Sequence, residues 1–320
     1  MKKYAKMIFT AALLLMLPVL LILSPQAGQS VRDGLALSFR AVLPALFPAM
    51  VLCGMIGELA ESVPLPPALT VWITSHLCGF PLGIKTLSRA YHRGLLTHRQ
   101  TVRLSACCSN ASPAFLIAYA GEAVLGSRRA GILLFTGQLL LSLLLALLLG
   151  AFTGGRKPEP EDRALLPVVT GSIAQAALGS LTLTGYITAF AVISGLCRSV
   201  PGFDYLYGFL EISGGLAALP KGPLQLFLAA AMAGFSGLSV MLQNGAFLIE
   251  ERLPLWPMFL GKCFYMICLP PFVLALQGGR ALRLLWFLPV LLLFSILMIY
   301  FDKREKKGYN KLKRIKEGTG

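Results

Sequence analysis

The chain is poor in charged residues, since only 13% of its 320 residues are Asp, Glu, Lys or Arg. A soluble domain usually carries about 25%, so this sequence has too little polar surface to cover a water-soluble globule. In contrast, 56% of the residues are hydrophobic and the mean hydropathy is +0.72. This composition excludes an ordinary soluble protein and indicates an integral membrane protein.

The signatures of common enzymes and metal sites are also missing. The sequence contains no G-x-S-x-G, P-loop or H-E-x-x-H motif, and its three histidines are not clustered. The seven cysteines lack C-x-x-C spacing and fall in or beside apolar segments, so we expect neither a disulfide framework nor a metal site. A nucleophile pair of Cys107 or Cys108 with His76 would lack an acid to orient it. We therefore expect no enzymatic activity and no cofactor.

Long apolar runs are present instead, and most of them approach the ~20 residues that a helix needs to cross the hydrocarbon core. They cover residues 7–23, 42–59, 130–152, 187–196, 256–276 and 284–301. Because a membrane helix satisfies its own backbone groups, we predict an all-α polytopic membrane protein. Its seven or eight transmembrane helices are expected to be accompanied by re-entrant or broken helices.

The net charge of +15 arises largely at the two ends of the chain. Lys2, Lys3 and Lys6 precede the first apolar run, and residues 302–320 form a basic tail. Positive flanks favour the cytoplasmic side, so both ends are predicted to be cytoplasmic. This orientation requires an even number of crossings, which is reached if residues 224–249 cross fully. The tail suits contact with anionic lipid, whereas its near lack of aromatic residues argues against a nucleic-acid partner.

The first 30 residues are compatible with two interpretations. Their basic start, apolar centre and following Ser24-Pro25-Gln26-Ala27-Gly28 resemble a secretory signal peptide. The apolar run 7–23 is longer than the usual signal-peptide core of about 7–15 residues. We therefore favour an uncleaved N-terminal membrane helix over residues 1–30, with cleavage as the alternative.

Two interruptions of the apolar segments look like one element written twice, Gly79-Phe80-Pro81-Leu82-Gly83-Ile84-Lys85 and Gly234-Phe235-Ser236-Gly237-Leu238-Ser239. A polar loop, residues 154–166, separates a first repeat (31–153) from a second repeat (167–301) with the same order of parts. Such paired interruptions are typical of secondary transporters built from inverted repeats. The residues expected to break helices are Gly79, Pro81, Gly83, Pro113, Gly234 and Gly237.

Ionisable residues inside membrane segments are costly and are therefore functional candidates. Lys85 is suited to bind an anion or to extend to the interface, and Glu211 to pair with Lys85 or Lys262 or to bind a proton or Na⁺. Arg103 and Glu58 are expected to be interfacial. Uncharged polar residues near the breaks either line a pocket or bridge helices. The substrate-binding candidates are Lys85, Asn110, Ser112, Glu211, Ser236, Ser239, Gln243 and Lys262.

Five motifs carry a resemblance to a known family: GFPLGIKT (79–86), GLLT (94–97), CSNASPAF (108–115), LEISGG (210–215) and GFSGLSVMLQ (234–243). Over residues 35–276 the chain resembles the YlbJ-type sporulation integral membrane proteins, relatives of the nucleoside-recognition Gate domain family. The resemblance implies a bacterial membrane protein with a transport role in spore formation. In one branch the implied cargo is dipicolinate, which is moved across the outer forespore membrane.

The favoured function is therefore a transporter or channel for a small anionic or nucleoside-like solute, with two inverted halves moving around a site at the midplane. Lys85 and Lys262 beside helix breaks would suit a small aromatic dianion such as dipicolinate. The alternative is a sporulation scaffold that recruits partners through the basic tail, with the breaks serving only helix packing. The sequence leaves the oligomeric state open.

Overall fold

The computed structural model describes residues 24–59, 65–154, 164–197 and 202–278, together with single residues at 10 and between 290 and 298. These residues are mostly helical, and none of them forms a β-strand. The predicted all-α class is therefore confirmed for the described part of the chain. Most of the predicted N-terminal helix (1–30), most of the polar loop and the basic tail lie outside the described residues.

The first half of the chain, up to residue 154, begins with a long helical segment and continues through shorter helices. The long segment comprises Ser24–Leu37 (α1), a π-helical turn at Ser38–Val42, and Leu43–Leu59 (α2). A second π-helical segment covers Ala114–Val124. The α-helices are α1 (Ser24–Leu37), α2 (Leu43–Leu59), α3 (Pro67–Cys78), α4 (Leu82–His92), α5 (His98–Cys107) and α6 (Arg128–Leu148).

The second half, from residue 164, also begins with a long helix and continues through short ones. Its helices are α7 (Leu165–Cys197), α8 (Phe203–Leu210), α9 (Ile212–Ala218), α10 (Gln225–Phe235), α11 (Gly237–Glu250) and α12 (Trp256–Gln277). Both halves thus present a long helix, a pair of short helices, a two-part helix and a final long helix. The order of elements agrees with a repeat, while the inverted relation of the halves stays a prediction.

Five described segments are long and apolar enough to cross a membrane: Ala27–Leu59, Arg128–Leu148, Leu165–Cys197, Gln225–Glu250 and Trp256–Gln277. Large apolar side chains are exposed along them, as on α7, where Leu165, Leu166, Leu178 and Leu181 are at least two-thirds exposed. Such a surface is unusual for a soluble protein and fits contact with lipid. The apolar runs 7–23 and 284–301 lie largely outside the described residues, so the count of seven or eight crossings stays a prediction.

The long helices form two groups that the shorter elements connect. The segments α1 and α2 pack along α7, while α12 packs against α10, α6 and α5. Between these groups, α11 contacts α4 and α8, and the π-helical segment Ala114–Val124 contacts α2 and α6. The ends of the short helices are therefore placed in the interior of the molecule.

A tight helical hairpin is formed by α3 and α4, which pack side by side. The turn between them contains Gly79, with φ of +68°, and a cis peptide bond between Phe80 and Pro81. A Cβ atom on Gly79 would lie 2.5 Å from the backbone nitrogen of Ser112. Only glycine fits here, because the backbone is left-handed and a second backbone segment approaches closely.

The helices α8 and α9 form a second hairpin, with Glu211 at the turn. The two backbones touch where Gly208 faces Gly215, since a Cβ atom on Gly215 would lie only 2.0 Å from the Cα atom of Gly208. This motif, LEISGG, occupies the position in the second half that GFPLGIKT occupies in the first. By the order of elements, the counterpart of the first hairpin is therefore the hairpin at Glu211 and not the segment at Gly234.

Two helices are discontinuous. In the first, α5 ends at Cys107, residues 108–112 are not helical, and the chain resumes as a π-helix after Pro113. In the second, α10 ends at Phe235, and Ser236 and Gly237 adopt left-handed conformations with φ of +67° and +82°. Because α10 and α11 do not pack side by side, this second interruption is a broken helix and not a hairpin. The segments at Gly79 and Gly234, predicted to be copies of one element, therefore adopt different structures.

The predicted breaks at Gly79, Pro81, Pro113 and Gly237 coincide with helix ends. In contrast, Gly83 and Gly234 lie inside α4 and α10, so the prediction that they break helices is wrong. Their role is close packing. A Cβ atom would lie 2.6 Å from the Cys108 carbonyl oxygen at Gly83, and 2.5 Å from the Tyr265 carbonyl oxygen at Gly234.

We predict that Gly79→Ala destabilises the protein more than Gly94→Ala. Both glycines have positive φ, +68° and +71°, but a Cβ atom on Gly94 meets nothing within 4 Å. A positive φ strains alanine in both variants, by at least about 1–2 kcal/mol, whereas the clash with Ser112 occurs only in Gly79→Ala. Thermal unfolding midpoints of the detergent-purified proteins measure the difference. Equal midpoints would contradict the close contact between Gly79 and Ser112.

Candidate functional site

Four helix interruptions converge on one small cavity, here called the central cavity. The tip of the first hairpin, the break after α5, the tip of the second hairpin and the start of α11 all contribute to its lining. The helices α2 and α7 close its remaining sides. Its lining includes Leu46, Met50, Phe80, Ser112, Phe115, Glu211, Ser213, Ser239 and Gln243.

The central cavity is about 30 Å³ in volume. A single water molecule needs roughly 10–15 Å³ by the same kind of measure, so the cavity holds one or two waters or a small ion. Pockets for drug-sized ligands are about 300–1,000 Å³. The cavity therefore does not accommodate a solute of dipicolinate or nucleoside size in this structure.

The tip of the first hairpin is hydrogen-bonded to the break after α5. The backbone N–H of Phe80 donates to the carbonyl oxygen of Asn110 over 2.9 Å. The Asn110 amide nitrogen in turn donates to the Cys107 carbonyl at 2.7 Å and lies 3.0 Å from Nε2 of His76. His76 Nδ1 is 2.7 Å from the Trp72 carbonyl oxygen, which can only accept. In neutral His76, Nδ1 therefore carries the proton and Nε2 accepts from Asn110.

Asn110 is thus buried in a hydrogen-bond network inside the first half, and it does not line the central cavity. The sequence placed it among the substrate-binding candidates. The structure instead shows its amide and carbonyl groups tying the hairpin to the break. His76 was not singled out as part of this network, because a lone histidine on an apolar helix gives no signal of its partner.

Glu211 lies at the tip of the second hairpin with only 2% of its surface exposed. Its two carboxylate oxygens accept hydrogen bonds from the backbone N–H groups of Ser213, at 2.9 Å, and Gly214, at 2.5 Å. Glu211 forms no ion pair with any described residue. The predicted pairing of Glu211 with Lys85 or Lys262 is therefore wrong for this conformation.

Each broken helix is bound by a polar side chain from the final long helix of its own half. Gln138 of α6 donates to the Ala111 carbonyl oxygen at 2.9 Å and accepts from the Ala111 N–H at 3.3 Å. Lys262 of α12 donates from Nζ to the Ser236 hydroxyl at 2.8 Å. The sequence separations are 27 and 26 residues, so the two contacts occupy corresponding places in the two halves.

Lys262 is 1% exposed, and its ammonium group also lies 5.9 Å from the centre of the Tyr265 ring. The Ser236 hydroxyl donates to the Ala233 carbonyl oxygen at 3.0 Å while it accepts from Lys262. Both residues are therefore engaged at the break between α10 and α11, and neither lines the central cavity. Gln138 was missed in the sequence, although a single amide in the apolar run 130–152 was a usable signal.

Hydrogen bonds also join the two halves, and two of them connect a helix of one half to an interrupted segment of the other half. The Tyr119 hydroxyl donates to the Ser213 carbonyl oxygen at 2.6 Å, and the Asn244 amide donates to the Ser109 hydroxyl at 2.6 Å. Tyr119 lies in the π-helical segment of the first half, and Asn244 lies in α11 of the second. Opening the cavity by separating the halves would break both bonds.

Ser112, Ser239 and Gln243 line the central cavity, while their role in binding a substrate stays a prediction. The Ser112 hydroxyl accepts from the Phe115 N–H at 3.2 Å, and Ser239 is 1% exposed. Gln243 is 5% exposed, and neither its oxygen nor its nitrogen has a hydrogen-bond partner among the described residues. Buried amide groups are almost always paired, so Gln243 has hydrogen-bonding capacity left for a water molecule or a ligand in the cavity.

Lys85 lies apart from the central cavity. Its ammonium group donates to the side-chain oxygen of Gln175 on α7 at 3.1 Å. Gln175 lines a separate open groove with Glu58 and Ser172, here called the peripheral groove. Glu58 pairs with Arg89 at 2.6 Å, and both side chains are partly exposed. The structure therefore does not bring Lys85 together with the other predicted site residues.

Comparison of the chain with family models, curated proteins and solved structures gives no match. The class of protein therefore follows from the geometry, which is that of a helical protein with five apolar segments of membrane-spanning length. Its interrupted helices surround a small cavity that contains one carboxylate and one unpartnered amide.

We predict that Gln138→Leu destabilises the protein more than Gln175→Leu. The first substitution leaves the buried N–H and carbonyl groups of Ala111 without their side-chain partner, at a cost of about 1–3 kcal/mol. Gln175 is only half-buried and bonds a side chain that can turn to water. Thermal unfolding in detergent compares the two variants, and a Gln138→Leu midpoint no lower than that of Gln175→Leu would disprove the proposed stabilisation of the break.

Proposed function

We propose that the protein is a membrane transporter or channel and that the central cavity lies on the path of its solute. One observation carries this proposal: the tips of two hairpins, the break after α5 and the first two turns of α11, which follow the second break, line the same buried cavity. Discontinuous helices around a site between two structural repeats are characteristic of secondary transporters. The lining also contains the amide of Gln243, which has no hydrogen-bond partner among the described residues.

The lining of the cavity bears on the solute. Apolar side chains from α2, the first hairpin and the π-helical segment surround the carboxylate of Glu211, the amide of Gln243 and the hydroxyl groups of Ser112 and Ser239. Neither Lys nor Arg contributes to the lining within the described residues. This combination suits a small solute with an apolar body and several hydrogen-bonding groups, such as a nucleoside-like molecule.

The resemblance to YlbJ-type proteins suggests dipicolinate as the cargo and the outer forespore membrane as the location. A dianion would meet the negative charge of Glu211 in the cavity, while Lys85 and Lys262 are engaged elsewhere. An anionic cargo would therefore need its charge compensated on entry. The small volume also requires the two halves to move apart before any such solute binds.

The proposal predicts that Gln243→Leu slows transport while Gln175→Leu does not. Both substitutions remove an amide and keep a similar size, but only Gln243 lines the central cavity. Vesicles containing either variant or the wild type are tested for uptake of labelled dipicolinate and, separately, of a labelled nucleoside. We expect a loss of about tenfold for Gln243→Leu, equivalent to 1.4 kcal/mol. Wild-type vesicles no faster than protein-free vesicles with both solutes would reject these cargoes, and equal rates for both variants would remove the cavity from the path.

Lys85→Ala is expected to reduce transport by less than threefold in the same vesicles. The reason is that Lys85 contacts Gln175 at the peripheral groove rather than any group in the central cavity. A loss as large as that of Gln243→Leu would instead return Lys85 to the solute site in another conformation.

A further inference from the structure

We propose that the central cavity is a binding site for a small monovalent cation, with Na⁺ as the best candidate, and that Glu211 and Gln243 supply ligands. The role of this cation in coupled transport rests on the function proposed above, whereas its binding does not. Three features of the described residues support the site: an uncompensated carboxylate, an unpartnered amide oxygen and a cavity of ionic size.

The first feature is the charge of Glu211. A carboxylate that is 2% exposed among apolar helices needs a counter-charge or a proton, because removing it from water is costly. Two backbone N–H groups donate to its oxygens, one to each. Burial raises the pKa of Glu211, and these bonds only partly offset that rise, but each oxygen keeps a lone pair that is available to a cation.

The second feature is the amide of Gln243, which lines the same cavity and has no partner for its oxygen or its nitrogen among the described residues. An amide oxygen is a hard ligand of the kind that alkali and alkaline-earth ions prefer. The hydroxyl oxygens of Ser112 and Ser239 add two further oxygens around the cavity. All four side chains come from the interrupted segments, where close approach of the backbone is possible.

The third feature is the combination of size and charge. A volume of about 30 Å³ accepts a partly dehydrated ion but not an organic solute. Glu211 is the one acidic side chain in the lining, and the described residues contain no cluster of three His, Cys, Asp or Glu residues. Since protein sites for Ca²⁺ commonly combine several carboxylates, a single carboxylate with neutral oxygens favours a monovalent ion.

The cation would also explain how an anionic solute enters a cavity that contains a carboxylate. Bound between Glu211 and Gln243, it would neutralise the charge of Glu211 and present a positive surface to the solute. Binding of solute and cation would then be mutually favourable, which is the thermodynamic basis of cotransport.

The test measures the thermal unfolding of the full-length protein in detergent without any organic solute. Midpoints are compared in NaCl, KCl and choline chloride at equal ionic strength. We expect NaCl at a concentration well above the dissociation constant to raise the wild-type midpoint by about 3 °C or more relative to choline chloride. The shift should be lost in Glu211→Gln and reduced in Gln243→Leu.

Glu58→Gln is the matched control, because Glu58 is a carboxylate paired with Arg89 at the peripheral groove. This variant should keep the full Na⁺-dependent shift. If Glu211→Gln does not fold, Gln243→Leu together with equilibrium binding of ²²Na⁺ decides the question. Absence of a Na⁺-specific shift in the wild type overturns the site, as does a shift that persists unchanged in Gln243→Leu.

The outcome is separable from that of the transport experiment. A Na⁺ shift without solute uptake would support the cation site and count against transport of the tested solutes. Solute uptake by a protein whose thermal unfolding midpoint does not depend on Na⁺ would support the transporter and reject the cation site. A midpoint that depends on pH through Glu211 but not on Na⁺ would identify a proton as the occupant and likewise reject the cation.

Discussion

The structure depends on one constraint: a helix interrupted inside an apolar environment must find other partners for its backbone hydrogen-bonding groups. At the first break this is achieved by Gln138, which bonds both backbone groups of Ala111, and by the hairpin N–H of Phe80. At the second break the chain turns through left-handed Ser236 and Gly237, and Lys262 bonds the Ser236 hydroxyl. Much of the buried polar chemistry is thus used to keep the interruptions stable.

The polar groups that stabilise the interruptions are different from those that remain available to a ligand. Asn110, Ser236 and Lys262 are engaged at the breaks, whereas Gln243 has no partner among the described residues and Glu211 accepts hydrogen bonds from Ser213 and Gly214 of its own hairpin. Other buried polar atoms are also unpaired among the described residues, as at Ser172 and Thr184, but Gln243 lacks partners for both its oxygen and its nitrogen and lines the central cavity. For the proposed transport, the small cavity must expand, and hydrogen bonds between the halves, among them those from Tyr119 and Asn244, must break.

Much of the fold was accessible from the sequence, because apolar runs and helix-breaking residues act locally. The ends of helices at Gly79, Pro81, Pro113 and Gly237 were predicted for this reason. Gly83 and Gly234 were mistaken for breaks, since a glycine also serves where two backbones touch within intact helices. The same ambiguity led to the pairing of GFPLGIKT with GFSGLS, although one forms a hairpin and the other a broken helix.

By itself, the sequence determined the all-helical architecture, the apolar segments long enough to span a membrane and several of the helix ends, because these follow from composition and from the local backbone preferences of glycine and proline. Only the tertiary structure decided which polar residues meet. It placed Lys85 beside Gln175 and Gln243 beside Glu211 at the central cavity. These neighbours are far apart in the chain, and the direction in which a side chain points depends on how helices pack, which local sequence does not encode.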